Sequence, residues 1–169
     1  HFPSIPLDSP ELVEVLPNII YVPRGSILKL DGLTIGLLGG ASSVDYKWRE
    51  SGKDWFPELE NIRPDDLACA MDWPTVDLMV THTPPVHTVL AHFPAAGLAG
   101  FGLDRNWRDP SAQAVEDVWL HQNKPPLVCG HMHRSLLDGH VRILDVNEAL
   151  PLEAVMADCQ SRPYVFGMK

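Results

Sequence analysis

The sequence predicts a mixed α/β domain, and three observations carry that expectation. Strand-type runs and helical stretches follow one another along the chain, as in folds that layer helix on sheet. Two Asp-Gly dipeptides, Asp31-Gly32 and Asp138-Gly139, each lie between strand-type runs and read as two-residue hairpin turns. Two apolar runs, Val76-Asp77-Leu78-Met79-Val80 and Pro126-Leu127-Val128-Cys129, stop abruptly and hand over to histidine. A strand that stops at Gly or Pro delivers its next side chains to the end of a sheet, where open α/β folds keep their sites.

Bulk composition narrows the possibilities. At 169 residues the chain is one domain or most of one, and 45% hydrophobic against 21% charged residues suffices for a real core. The net charge of −9 disfavours nonspecific nucleic-acid binding, which needs a basic face. It leaves a phosphorylated substrate open, because bound metal supplies local positive charge. Cys69, Cys129 and Cys159 are odd in number and form no CxxC pair, so neither a disulfide frame nor a zinc knuckle is expected. Reduced thiols, no signal peptide and no apolar run of transmembrane length predict a cytoplasmic protein with no membrane partner. The first residue is His1 and not Met, which suggests a processed or truncated chain.

In chain order, residues 1–18 are rich in Pro and acids, and Ser9-Pro10-Glu11 predicts a short helix over 10–16. Residues 19–22 read as a strand, and 26–30 with 33–38 as the first hairpin. Gly39-Gly40 is a tight strand exit or a backbone kept close to a ligand; without a following Lys-Ser/Thr it is no Walker loop. Residues 46–63 predict a long loop with short helical turns, its Trp residues packing on the surface. Pro64-Asp65-Asp66-Leu67 opens a helix to about Met71, with acids in the first turn where the helix dipole favours them. Residues 83–109 form a long connection, expected to be a lid or substrate-facing loop. A helix over 111–122 leads to the strand at 126–129. The second hairpin pairs 134–137 with 140–144. Residues 148–169 read as a C-terminal tail with a strand at Tyr164-Val165-Phe166.

Seven of the eight histidines lie between 82 and 140. For His87, His92, His121 and His140 an ordinary hydrogen-bonded role is the expectation. His82, in Thr81-His82-Thr83-Pro84-Pro85, and the pair in Gly130-His131-Met132-His133 each follow a strand, and neutral imidazole is the commonest metal ligand. On an extended segment the two rings share a face, whereas a turn would splay them onto two neighbouring ions, held roughly 3.5–4 Å apart in two-metal hydrolases. Other HxH systems fit less well. The HxHxDH of metallo-β-lactamase-like hydrolases is not continued by Arg134-Ser135-Leu136, an amidohydrolase barrel needs more βα repeats, and a cupin needs an all-β chain.

Taken together, Thr81-His82-Thr83-Pro84-Pro85 and Gly130-His131-Met132-His133 resemble the [ST]HxPP and GHxH motifs of the calcineurin-like metallophosphoesterase family. Residues 37–45 resemble the GG…S.D strand exit of a bacterial and phage-type branch. The resemblance covers about residues 19–147, the C-terminal part of the family domain. It implies a two-sheet sandwich with flanking helices, here lacking its N-terminal portion. It also implies that His82 and His131 ligate one ion and His133 the other. The family's early DxH, GDxxD and GN[HD] motifs, which supply the carboxylate bridging the ions, do not occur; His1 stands as an echo of the last, a proton donor near the leaving group, although Phe2 replaces the acid that should follow.

The function so implied is phosphate mono- or diester hydrolysis at a binuclear site by metal-activated water. The cofactors would be two divalent transition ions from Mn, Fe, Zn or Ni, since histidine ligation disfavours Ca and Mg. The substrate would be a phosphorylated small molecule, a nucleotide or a phosphoprotein, and a missing N-terminal segment would be a partner. Two alternatives accompany it: a binding or assembly module that keeps the fold without catalysis, and a single structural metal held by His82, His131 and His133.

Overall fold

Short runs of β-branched and aliphatic residues build one six-stranded sheet, on whose faces the helices pack. A computed structural model describes residues 12–94 and 96–160. In chain order the strands are β1 (Val13–Leu16), β2 (Ile19–Tyr21), β3 (Ser26–Leu30), β4 (Leu33–Leu38), β5 (Leu78–Thr81), β6 (Leu127–Cys129), β7 (Leu136–Asp138) and β8 (Val141–Ile143). The helices are α1 (Pro57–Glu60), α2 (Pro64–Met71), α3 (Val86–His92), α4 (Ala96–Gly100), α5 (Pro110–His121) and α6 (Leu152–Gln160), with a 3-10 turn at Tyr46–Trp48. β1 and β2 pair antiparallel in a small sheet of their own; the other strands form a six-stranded mixed sheet in the order β3-β4-β5-β6-β8-β7. The fold is therefore mixed α/β, a six-stranded and a two-stranded sheet with flanking helices.

β4, β5, β6 and β8 run parallel, with Leu38 opposite Thr81 and Cys129 opposite Ile143. Their C-terminal ends consequently lie along one edge, and the residues that follow them share it. On one face of the sheet Leu38, Met79, Leu127, Val141 and Ile143 pack with Val115, Val118 and Trp119 of α5 and Ala70 of α2. On the other, Ile35 and Leu78 pack with Val155 and Cys159 of α6. Gly36 marks a close approach in mid-strand: a Cβ there would lie 2.4 Å from the ring of Trp73, whose Nε1–H donates to the Gly25 carbonyl at 2.7 Å.

Both hairpins form. Asp31 and Gly32 take left-handed conformations at φ 50° and 83°, as a type I′ turn requires. In the second hairpin the turn falls at Gly139-His140, one residue later than expected, because Asp138 stays paired with Val141. Its carboxylate is held there, accepting from Thr88 Oγ1 at 3.0 Å and lying 3.3 Å from His92 Nε2.

Three expectations are corrected. Of the helix expected over 10–16, residues 10 and 11 lie outside the described residues and the rest holds strand β1, which alternates in burial and pairs with β2 through Val13, Glu14 and Leu16 around a turn with Asn18 at φ 65°. Residues 83–109 are not a structureless loop but carry α3 and α4. The tail expected from residue 148 contains α6, whose Leu152, Val155, Met156 and Cys159 recur at helical spacing and dock on the sheet. The strand expected at 164–166 lies outside the described residues. Among the described residues no helix is long and apolar enough to cross a membrane.

Asp66 shows how the N-terminus of α2 is secured. Its Oδ2 accepts from the Arg63 backbone N–H at 3.0 Å and from Arg63 Nε at 3.1 Å, while Arg63 Nη2 donates to Oδ1 at 3.1 Å. Burial alone would raise the Asp66 pKa, but the hydrogen bonds and charge of Arg63 outweigh it and hold the carboxyl below its ordinary value. A depressed carboxyl pKa stabilises the fold above the unfolded value of about 3.9 and loses that contribution as pH falls through the folded value. Asp66→Asn should therefore cost on the order of 1 kcal/mol at neutral pH, the outer part of the pair being screened by solvent. Urea midpoints should differ between variant and wild type at pH 7 and converge in strong acid. Equal midpoints at pH 7 would show that the interaction contributes nothing.

Candidate metal centre

The parallel register of β5 and β6 brings the two histidine stretches together. His82 follows β5 and Gly130 follows β6, and the Gly130 N–H donates to the His82 carbonyl at 3.1 Å. The Thr81 hydroxyl donates to the Thr83 carbonyl at 2.8 Å, and buried Thr83, Pro84 and Pro85 fix the path of the chain beyond His82. After β6 the chain turns twice. Met132 N–H closes on the Gly130 carbonyl at 2.7 Å, and both His131 and His133 take left-handed conformations, at φ 64° and 48°. Such a conformation costs a non-glycine residue about 1–2 kcal/mol, so two in three positions concentrate strain at the motif.

The result is a pair of imidazoles. The rings of His82 and His131 meet edge to face with centroids 4.9 Å apart. Removal from solvent is the largest cause lowering both pKa values; the His82 charge adds to it at His131, and His133 adds to it at both. Both shifts favour the neutral imidazole, the form that ligates metal, although the His82 side chain keeps an exposed surface and His131 is the more enclosed of the two. His131 and His133 also line a cleft of about 380 Å³ together with Asp145, Val80 and Val128. His133 is exposed, as is His82, and its charge reaches both rings of the pair. His1 lies outside the described residues.

Three further histidines have other partners. His87 stacks on Trp119 with centroids 5.1 Å apart and lies 3.4 Å from Glu116, His92 faces Asp138, and His140 Nδ1 is 2.8 Å from the Lys124 carbonyl. Cys129, beside the site in sequence, is buried, which pushes its thiol pKa far up and leaves it inert.

Two charged residues join the site that the sequence reading did not single out. Asp109 is the N-cap of α5: its Oδ1 accepts from Ser111 N–H at 2.8 Å. Its Oδ2 is buried with no hydrogen-bond partner, and the residue is only 9% exposed. Its charge acts on both His82 and His131, favouring their protonated forms against the effect of burial. An orphaned buried carboxylate oxygen costs free energy unless a cation or donor satisfies it. Arg24 approaches from the β2–β3 connection, donating from Nη1 to the Asn61 carbonyl at 2.6 Å and from Nη2 to that of Leu59, and its charge disfavours protonation of His82. The N-cap pattern Asp109-Pro110 was a visible signal; nothing in the sequence tied Arg24 to a histidine so distant along the chain.

Whether these groups fit a metal has a divided answer. Two neutral imidazoles beside an unsatisfied carboxylate are the right donor types for a borderline transition ion. Yet among the described residues no three His, Cys, Asp or Glu side chains converge closely enough to hold one. The arrangement is half of a donor set. No protein-family model, curated protein or solved structure matches the chain.

Proposed function

We propose that this chain carries the histidine half of a metallophosphoesterase centre and takes part in hydrolysing phosphate mono- or diesters. The observation that carries the reading is the His82–His131 pair, its pKa values lowered toward the neutral form, at the ends of adjacent parallel strands and within the field of the orphaned Asp109 carboxylate. The motifs Thr81–Pro85 and Gly130–His133 that deliver the pair are those that resemble the calcineurin-like family.

His82 and His131 would share one ion and His133 would face a second, the identity of each being Mn, Fe, Zn or Ni. Such ions supply Lewis-acid stabilisation of phosphoryl oxygens and lower the pKa of water. The protein's own part is to hold the imidazoles neutral and pre-oriented, through the Gly130–His82 backbone bond and the two left-handed turns. The Asp109 charge offsets that of a bound cation, and the Arg24 guanidinium adds positive field for a phosphate. Hard oxygen ligands to complete the set would come from a further segment or partner, the role proposed for an N-terminal portion that carries the early motifs. His1 remains proposed as proton donor to the leaving group.

Elemental analysis of protein purified without chelators, followed by metal-dependent turnover of generic mono- and diesters, tests the reading. About two transition ions per chain and metal-dependent hydrolysis, alone or with the completing segment, are expected. Absence of both ions and turnover in the completed protein would end it. The incomplete donor set also motivates a second reading, a single structural ion. That reading predicts one ion per chain, no turnover, and unfolding on chelation.

Asp109→Asn gives a sharper check. Asparagine keeps the acceptor that caps α5 and removes the charge, so thermal stability of the metal-free protein should hold while metal affinity falls about 10–100-fold, the usual cost of losing an outer carboxylate. Unchanged affinity by calorimetry would remove Asp109 from the site.

A further inference from the structure

The sheet face on which α6 packs is left half-open toward the C-terminal ends of its strands. Side chains alternate along a strand, so Leu78 and Val80 of β5 and Val128 of β6 belong to this face, while Met79, Leu127 and Cys129 belong to the other. Leu78 is only 2% exposed, whereas Val80 and Val128 remain half-buried. These two valines line the cleft of about 380 Å³, which also takes Val146 and Asp145 from the segment after β8 and His131 and His133 from the segment after β6. His131 belongs at once to the cleft and to the imidazole pair, whose centroids are 4.9 Å apart, so a group seated in the cleft lies against the site.

The two segments that close the cleft are tied to each other. Glu148 Oε1 accepts from Arg142 Nη2 at 2.6 Å and from Ser135 Oγ, two residues beyond His133, at 3.2 Å; its Oε2 accepts from the Asp145 N–H at 2.8 Å. One carboxylate therefore joins the segment after β6 to the segment after β8 and sets the shape of the cleft before a ligand arrives. The lining is chemically selective. Valine side chains gain from covering apolar surface and offer no hydrogen bond to a phosphate or a hydroxyl. The exposed Asp145 carboxylate repels a further anion. A phosphoryl group is thus better placed at the imidazoles, and an uncharged organic group in the cleft.

We propose that this cleft holds the organic group of a phosphate ester, and that the group is apolar and uncharged, a short alkyl chain or a single ring. The position of the phosphate rests on the phosphoesterase reading; the apolar preference of the cleft does not. A volume of about 380 Å³ stands at the lower end of the roughly 300–1,000 Å³ of ligand sites and admits a group of that size. A sugar would set hydroxyls against the valines, where they lose water without gaining partners. A second phosphate or a carboxylate would meet Asp145.

Calorimetry of methyl, butyl and hexyl phosphate with Mn²⁺ on the 169-residue protein tests the proposal, because the esters share a phosphate and differ only in chain length. Affinity should rise from methyl to hexyl by about threefold for each methylene that enters the cleft. Val146→Asp, at a position 58% exposed, should flatten that series, with circular dichroism confirming the fold. Asp145→Asn keeps the acceptor for the Val146 N–H and removes the charge, so 3-carboxypropyl phosphate should gain on butyl phosphate in this variant. Equal affinity of wild type for the three alkyl esters, or a series unchanged in Val146→Asp, would overturn the proposal. 1-Hexanol, which carries no phosphate, separates it from the reading on which it builds. Hexanol that shifts the Val128 and Val146 methyl resonances of metal-free protein, with no ester hydrolysed, would keep the apolar cleft while the phosphoesterase reading fell. Hydrolysis blind to chain length, with those resonances unmoved, would keep the reaction and remove the cleft.

Discussion

His131→Asn should lower divalent-metal affinity by more than the about 10–100-fold that loss of an outer partner usually costs, and turnover of any metal-dependent reaction should fall at least in proportion. Asparagine is the informative replacement. It is among the residues that tolerate a left-handed backbone, so at φ 64° it removes the imidazole without adding the strain that alanine would bring. Titration of Zn²⁺ or Mn²⁺ by calorimetry reads the affinity, and melting in the presence of chelator shows that the fold persists. The same measurement on His82→Asn should give a loss of similar size, because the two rings lie against each other. His87→Asn should leave metal affinity unchanged, since that ring is taken up by Trp119 and Glu116. If His131→Asn bound metal like the wild type, the pair would be a packing contact and the phosphoesterase reading would lose its central observation.

Local signals carried much of the fold. Asp31-Gly32 with flanking aliphatic residues dictated the first hairpin, and Pro64-Asp65-Asp66 announced α2 with its end at Met71. His82 and His131 were legible as partners because each follows an apolar run and is held by a neighbouring Pro or Gly, and parallel pairing of β5 with β6 then brings them together. What could not be read was set by contacts between distant segments. Asp109 matters through a buried oxygen, and Arg24 through its position beneath residues 59–61; burial has no signature in a local window. The turn at Gly139 shifted because Thr88 and His92 hold Asp138 in its strand. α6 was different in kind: Leu152, Val155, Met156 and Cys159 stood at helical spacing in plain view within the stretch read as a tail.

Trp119→Ala should produce the largest loss of stability, about 3–5 kcal/mol, against a typical total of about 5–15 kcal/mol for a domain. The side chain is 0% exposed and lies within the cluster that joins α5 to β4, β5 and β6. Its Nε1–H donates to the Pro125 carbonyl at 2.8 Å, anchoring the turn that feeds β6 and therefore Gly130 and His131. Trp119→Phe separates the two contributions. It keeps most of the packing but orphans the carbonyl, for a cost of about 1–3 kcal/mol. Urea unfolding followed by circular dichroism should show the midpoint falling in that order with the slope unchanged, as expected when stability and not the unfolded state is altered. The site should feel the same change, because α5 begins at Asp109 and β6 ends at the histidine motif; both lose their mutual support when the indole is removed. Metal affinity of Trp119→Ala, measured where the variant is still folded, should therefore fall although residue 119 is buried in the core and not at the histidine pair. A midpoint within error of wild type would mean that the helix–sheet interface does not hold the site in place.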